Sequence, residues 1–167
     1  LFSTSLEGPY SKILPEFAAY ELPDVVSFDV NQCHDLDVIF LAVPHTKAMP
    51  IVAQLMVDCP KLKIVDLSAD FRLRNVDSYE ATYDVPHTAT DAMAHAVYGL
   101  PEKYKDQLLT ARLCANPGCY ATSIILGLLP IINHLDPHQP ITIDAKSGVS
   151  GAGKSLKTSS LFCEVHN

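Results

Sequence analysis

Asp37-Val38-Ile39-Phe40-Leu41-Ala42-Val43 is the stretch whose reading decides the fold. Aliphatic, β-branched and aromatic side chains follow one another without a polar interruption. That is the pattern of a strand covered on both faces in a parallel sheet, not the in–out alternation of a half-solvated strand. Pro44 stops it, and residues 46–57 then read as a helix. Leu62-Lys63-Ile64-Val65-Asp66-Leu67 repeats the strand pattern, residues 25–30, 113–115 and 140–145 are further strand candidates, and 119–129 reads as a helix. Residues 1–24, broken by Pro9, Pro15 and Pro23, read as loop and short helix with no opening strand. Residues 68–100 are rich in Asp, Tyr and His and have no clean period, which in a compact domain marks a functional region or hidden short elements. Alternating strand and helix predicts an α/β fold with a mostly parallel sheet. Ligands of such sheets bind beyond the carboxyl ends of the strands, where Pro44-His45, Ser68-Ala69-Asp70 and Asn116-Pro117-Gly118-Cys119 all fall.

Composition narrows the function. A chain of 167 residues with a net charge of -7 lacks the basic excess of a general nucleic-acid surface, yet a few placed donors still suffice for a small anion. The longest apolar run, 124–132, is interrupted by Gly127 and Pro130 and is too short to span a membrane, and the N-terminal residues lack a signal-peptide pattern. Five cysteines without framework spacing predict reduced thiols and a cytoplasmic protein, and no pair has the spacing of a zinc site.

One of those cysteines stands apart. Cys119 lies in Asn116-Pro117-Gly118-Cys119-Tyr120-Ala121-Thr122, at the start of the expected helix. A thiol there faces the positive end of the helix dipole, the setting in which cysteine becomes a nucleophile; the bland alternative is a buried free cysteine. Gly118 allows close backbone approach, Pro117 fixes the turn, and Thr122 falls where a hydroxyl can help cap. Cys33, Cys59, Cys114 and Cys163 lack this setting and read as structural.

Downstream, Gly148-Val149-Ser150-Gly151-Ala152-Gly153-Lys154-Ser155 matches the phosphate-binding P-loop pattern at every defined position. The strand that carries the magnesium-side aspartate of such a loop normally follows it, whereas the only such aspartates here, such as Asp66, lie upstream. A glycine-rich loop whose amides contact a cofactor is the preferred reading, and a P-loop nucleotide-binding module remains an alternative. His134 and His138 are separated by Pro137, which spoils a helical metal pair, so no metal site is expected. His87 and His95 read as surface or loop histidines. His45, just past a strand end, is open to ligand contact or to packing, and Arg72 to anion binding or to a surface role.

Several segments together resemble one family. Leu41-Ala42-Val43-Pro44-His45, Val65-Asp66-Leu67-Ser68-Ala69-Asp70-Phe71-Arg72, Tyr98-Gly99-Leu100-Pro101-Glu102, Asn116-Pro117-Gly118-Cys119-Tyr120-Ala121-Thr122 and Asp144-Ala145-Lys146-Ser147-Gly148-Val149-Ser150-Gly151-Ala152-Gly153 follow in order. The chain resembles the N-acetyl-gamma-glutamyl-phosphate reductases of arginine biosynthesis, within the aspartate-semialdehyde dehydrogenase superfamily. The resemblance implies a Rossmann-type mostly parallel sheet, with a partial NADP-binding domain over 1–118 and the start of an α+β catalytic and dimerisation domain over 119–167, truncated at its C-terminal end. It implies a cysteine nucleophile at Cys119, cofactor contacts at Pro44, His45, Ser147, Gly148, Ser150, Gly151, Ala152 and Gly153, and substrate contacts at Asn116 and Arg72. NADP(H) is the implied cofactor, an acyl phosphate and inorganic phosphate the implied small-molecule partners, and a homo-oligomer the implied assembly.

The family's chemistry forms a thioester on the cysteine with loss of phosphate, reduces it with NADPH, and holds the oxyanion on backbone donors at the helix start. Two family features have no counterpart in these residues: the glycine-rich dinucleotide turn that opens the fold, and a histidine acid/base in a His-Arg-His-like segment beyond Asn167. This section by itself is therefore expected to be inactive. Aspartate-semialdehyde dehydrogenase and the lysine-pathway homologue are the enzymatic alternatives, and a catalytically silent assembly domain is a third class.

Overall fold

The computed structural model describes residues 1–148 and 151, in two compact units, Leu1–Gly118 and Cys119–Asn167. The first unit is built on a four-stranded, wholly parallel sheet in the order β3-β4-β6-β5, formed by Val38–Leu41 (β3), Lys63–Asp66 (β4), Ala96–Tyr98 (β5) and Leu113–Ala115 (β6). Phe2–Ser3 (β1) and Val26–Ser27 (β2) form a separate two-stranded parallel pair.

Side chains of Ile39, Leu41, Ile64, Leu113 and Ala115 are buried and meet the helix Ala48–Asp58 (α2), which contributes Ala48, Met49, Val52 and Leu55 to the same core. α2 has no side-chain cap from its own Lys47. Full burial of Val52 and Leu55 contributes roughly 1.5–3 kcal/mol each, more than the about 1 kcal/mol a local cap would add. The opposite face is less covered: on the edge strand β3, Val38 is 43% and Phe40 64% exposed, although the sequence reads as buried on both faces.

The long region 68–100 does hide short elements: Val76–Tyr83 (α3), Thr90–His95 (α4) and β5. Asn75 caps α3 by accepting the Ser78 N–H at 2.8 Å, and Asp84 ends it in the left-handed conformation. Pro101–Thr110 (α5) starts on a proline, whose missing N–H costs nothing there. The remaining first-unit helix, Tyr10–Ile13 (α1), buries no residue.

Three local expectations are corrected. An opening strand does exist, because Phe2 and Ser3 find ladder partners in Val26 and Ser27. The candidate strand 25–30 shrinks to β2, since residues from Val30 to Cys33 turn into a 3-10 helix capped by Asp29. The candidate strand 140–145 is not one: no ladder partner for it exists among the described residues, and Ile141 and Ile143 stay half exposed. In the second unit the helix Cys119–Leu128 (α6) forms as expected and shares with residues 141–145 a cavity of about 340 Å³. No helix among the described residues is long and apolar enough to cross a membrane.

Candidate active site

The carboxyl ends of the strands are level, with Leu41 paired to Asp66, Asp66 to Ala115 and Tyr98 to Ala115. The chain beyond them therefore forms one rim. The segment after β4, residues 67–72, ties that rim together in two directions.

Toward β6 the tie is Arg72. Its Nε donates to Asn116 O at 2.8 Å and its Nη2 to Leu67 O at 3.0 Å, so the half-buried guanidinium joins the loops after two neighbouring strands. Asn116 itself donates its N–H to Asp66 O at 2.8 Å and its side-chain amide to Pro117 O at 3.2 Å. A Cβ at Gly118 would lie 3.2 Å from Arg72 Nη1, so the turn hugs the guanidinium at a distance few side chains tolerate. Arg72, Asn116 and Gly118 are thus brought together, and the next residue in the chain is Cys119. Its thiol is exposed at the first position of α6, where the leading N–H groups lie outside the helix's own hydrogen-bond ladder.

Toward β3 the tie is Asp70. Its carboxylate is fully buried and accepts the Thr46 N–H at 2.8 Å, the Ala48 N–H at 3.1 Å and the Tyr79 hydroxyl at 3.3 Å. His45 Nδ1 lies 2.8 Å from the same carboxylate, at ion-pair distance but off hydrogen-bond alignment, and Nε2 lies 3.3 Å from the Tyr79 hydroxyl. The His45 ring sits against Tyr83 with centroids 4.6 Å apart. Thr46 adopts φ +71°, a left-handed conformation that costs a β-branched residue on the order of 1–3 kcal/mol and persists only where surrounding bonds hold it. Pro44 and His45 therefore stand on a fixed turn at the end of β3.

Behind these ties lies a polar network. Asp66 accepts the Ser68 N–H and hydroxyl at 2.9 and 2.8 Å, and Ser68 Oγ accepts the Asp70 N–H at 3.1 Å. Burial pushes the Asp66 carboxyl above its usual range, opposed by those Ser68 bonds, and burial together with the Asp70 carboxylate pushes the Tyr79 phenol up as well.

His87 corrects its sequence reading. It is buried, Nε2–H donates to Asp70 O at 2.9 Å, and Nδ1 accepts the Ala89 N–H at 3.2 Å, which assigns the neutral Nε2–H tautomer. A segment without periodicity gives no sign that an imidazole will substitute for backbone partners. Burial holds His87 below its ordinary value of 6.5. The unfolded chain takes up a proton that the folded one resists, so stability tied to His87 is full above that value and is lost as pH falls through it. Thermal melts from pH 8 to 5.5 are expected to fall more steeply for wild type than for His87→Gln; parallel profiles would remove this role.

In the second unit, Ser147 Oγ contacts Gly148 O at 3.3 Å, and Gly151 N–H donates to Gly148 O at 3.0 Å. A Cβ at Gly151 would fall 2.8 Å from Ser147 Oγ, a contact that rotation of the serine hydroxyl relieves. Ser150, Ala152, Gly153, Lys154 and Cys163 lie outside the described residues. Among the described residues no group of three His, Cys, Asp or Glu is placed to hold a metal.

Comparison with known proteins gives this rim a lineage. The family model described as "Semialdehyde dehydrogenase, NAD binding domain" matches residues 1–111, and that for "Semialdehyde dehydrogenase, dimerisation domain" matches 119–167. The chain belongs to the semialdehyde dehydrogenase family. Among curated relatives, a probable chloroplastic N-acetyl-gamma-glutamyl-phosphate reductase of Arabidopsis thaliana is 44% identical over 92% of this chain and 38% of its own length. The N-acetyl-gamma-glutamyl-phosphate reductase of Afipia carboxidovorans is 44% identical over 92% of this chain and 44% of its own. That of Desulfotalea psychrophila is 48% identical over 81% and 38%. The chain thus spans about two-fifths of the length of these relatives. The family's two matched stretches part on either side of the turn that Arg72 holds. Its parallel sheet, expected from the sequence, is the one observed.

Tyr79, Tyr83 and His87 are the rim residues that sequence reasoning left without a ligand role, and Asp70 was placed at the ligand end of its strand with no task of its own. The one available signal was the spacing of Asp66, Ser68 and Asp70 in an otherwise apolar run.

Proposed function

We propose that this chain is the nucleophile-bearing section of an NADPH-dependent N-acetyl-gamma-glutamyl-phosphate reductase, which makes N-acetylglutamate semialdehyde by way of a thioester on Cys119. The observation that carries the reading is the Arg72 strut. It supports the turn leading into an exposed cysteine at a helix start, in a chain 44% identical to enzymes of that name.

Residues 1–118 serve as the cofactor-binding part and 119–167 as the opening of the catalytic part. The donor set at the rim suits a nicotinamide dinucleotide. In the first unit His45 offers an imidazole that is 35% exposed beside two tyrosine rings; in the second, Ser147, Gly148 and Gly151 belong to the glycine-rich segment proposed to contact the cofactor. Ser150, Ala152 and Gly153 are further proposed cofactor contacts. NADPH, when bound there, supplies the hydride that reduces the acyl carbon.

The chain's own residues do the rest. The Cys119 thiolate attacks the acyl carbon, and the N–H groups leading α6 take the developing oxyanion. The carbon–oxygen bond to phosphate then breaks, phosphate leaves with the electron pair, and the thioester remains. Asn116 and Arg72 orient the leaving phosphate. After reduction, the thiohemiacetal on Cys119 re-forms its carbonyl, the carbon–sulfur bond breaks, and the aldehyde and thiolate separate.

The dimerisation-domain match and the half-exposed Ile131, Ile132, Ile141 and Ile143 support a homo-oligomer, and a cytoplasmic location belongs to the same proposal. The test is turnover of the whole protein on N-acetylglutamyl, aspartyl and N-acetylaminoadipyl phosphates with NADPH and with NADH. The first substrate with NADPH is expected to be fastest. Equal or faster turnover of aspartyl phosphate, or a preference for NADH, would overturn the assignment.

A further inference from the structure

We infer that Asp70 is a positioning residue for the cofactor-side turn, its one buried carboxylate setting both the backbone at 45–48 and the orientation of the His45 ring. The inference rests on the reading of His45 as a cofactor contact.

The starting point is the cost of the carboxylate itself. A fully buried carboxylate must be offset by polar partners. Asp70 has two backbone donors and one phenol, and the group at ion-pair distance from it is His45; among the described residues the other ion pair joins Lys146 and Asp144, both exposed. The two backbone donors serve one short segment. Thr46 is held in its left-handed conformation through its N–H, and Ala48 is the first residue of α2, a helix whose own Lys47 supplies no cap. Asp70 caps that helix from another loop, which places its negative charge at the positive end of α2.

A remote cap alone would explain the backbone bonds and nothing more. The His45 contacts go further. Oδ1 lies 2.8 Å from Nδ1, the hydroxyl it accepts from belongs to Tyr79, and that same hydroxyl meets His45 Nε2. Carboxylate and phenol together touch both ring nitrogens while the Tyr83 ring bounds one side. The ring has one orientation in which all of these contacts hold, and a third of the side chain still faces outward. Asp70 is itself tethered through Ser68 to Asp66 at the end of β4, so the orientation of His45 is referred to the sheet and not to a loose loop.

The experiment uses the whole protein, with NADPH binding read by nicotinamide fluorescence, thermal midpoints of the unliganded protein, and steady-state kinetics. Asp70→Asn and His45→Gln are each expected to weaken NADPH roughly tenfold, with KM for NADPH rising more than kcat falls. The double variant is expected to be no weaker than either single one, because the two residues act as a unit. Thr46→Gly relieves the backbone strain, so Asp70→Asn/Thr46→Gly is expected to regain thermal stability without regaining affinity. It also stands in for Asp70→Asn should that variant not fold. Affinity restored by Thr46→Gly, additive losses in the double variant, or unchanged affinity in Asp70→Asn while His45→Gln binds weakly would each overturn the positioning role and leave the reading of His45 intact. Unchanged affinity in His45→Gln would instead overturn that reading, and the inference with it.

Discussion

Replacing Cys119 by serine in the whole protein is expected to lower NADPH-dependent turnover by roughly 10³-fold or more, the scale on which loss of a covalent nucleophile is felt. A serine hydroxyl is a far weaker nucleophile than a thiolate and has no base beside it in the first turn of α6. No other thiol among the described residues takes over. Among the described residues Cys33 and Cys59 are buried, and burial pushes the thiols of Cys33 and of half-buried Cys114 upward, toward the unreactive protonated form. Mass spectrometry of acid-quenched reactions should find an acyl adduct on the Cys119 peptide of the wild type and none in Cys119→Ser. Turnover in that variant within tenfold of wild type would mean that the thioester route is wrong.

The second large effect is expected at Arg72. Removing the guanidinium in Arg72→Met frees the turn at Asn116 and opens space beside Gly118, so the cysteine that follows loses its register with the substrate. Misplacement of a reacting group by about 1 Å can cost ~10²-fold, and kcat/KM should fall by at least that much. Arg72→Lys should recover little of it, because an ammonium cannot donate to Asn116 O and Leu67 O in one plane. The thermal midpoint separates this role from general unfolding: a variant that melts near wild type yet is slow supports the strut. A kcat/KM within threefold of wild type in Arg72→Met would remove it.

How much of this was legible in the sequence depends on the scale of the signal. The strands β3 and β4 were readable because runs rich in β-branched and aliphatic residues favour the extended chain, although cover on both faces failed for β3, where Val38 and Phe40 stay exposed. The helix α6 formed over the helix read from the sequence. The local setting singled out Cys119 but left a buried free cysteine as the alternative, and the family resemblance made it the nucleophile. By contrast, β1 is two residues long and exists because β2 lies beside it, a pairing across more than twenty residues that no local pattern encodes. The same holds for Asp70 and His87. Each looks like an ordinary loop residue, and their importance comes from partners brought together by the level carboxyl ends of the sheet. Residues 140–145 failed in the opposite way, since strand propensity without a ladder partner does not make a strand.

The edge strand β3 carries a consequence for anyone handling the protein. Wherever that edge is uncovered, Phe40 and Val38 offer an apolar ribbon to the next copy in solution, and strand edges of this kind seed association. The force that opposes such encounters is the net charge of -7, which repels like copies over a range set by salt. That range shrinks from about 10 Å at 0.1 M ionic strength to about 3 Å at 1 M. Colloidal stability and strong electrolyte therefore pull in opposite directions for this chain, and dilute, low-salt buffer is the condition that keeps its copies apart.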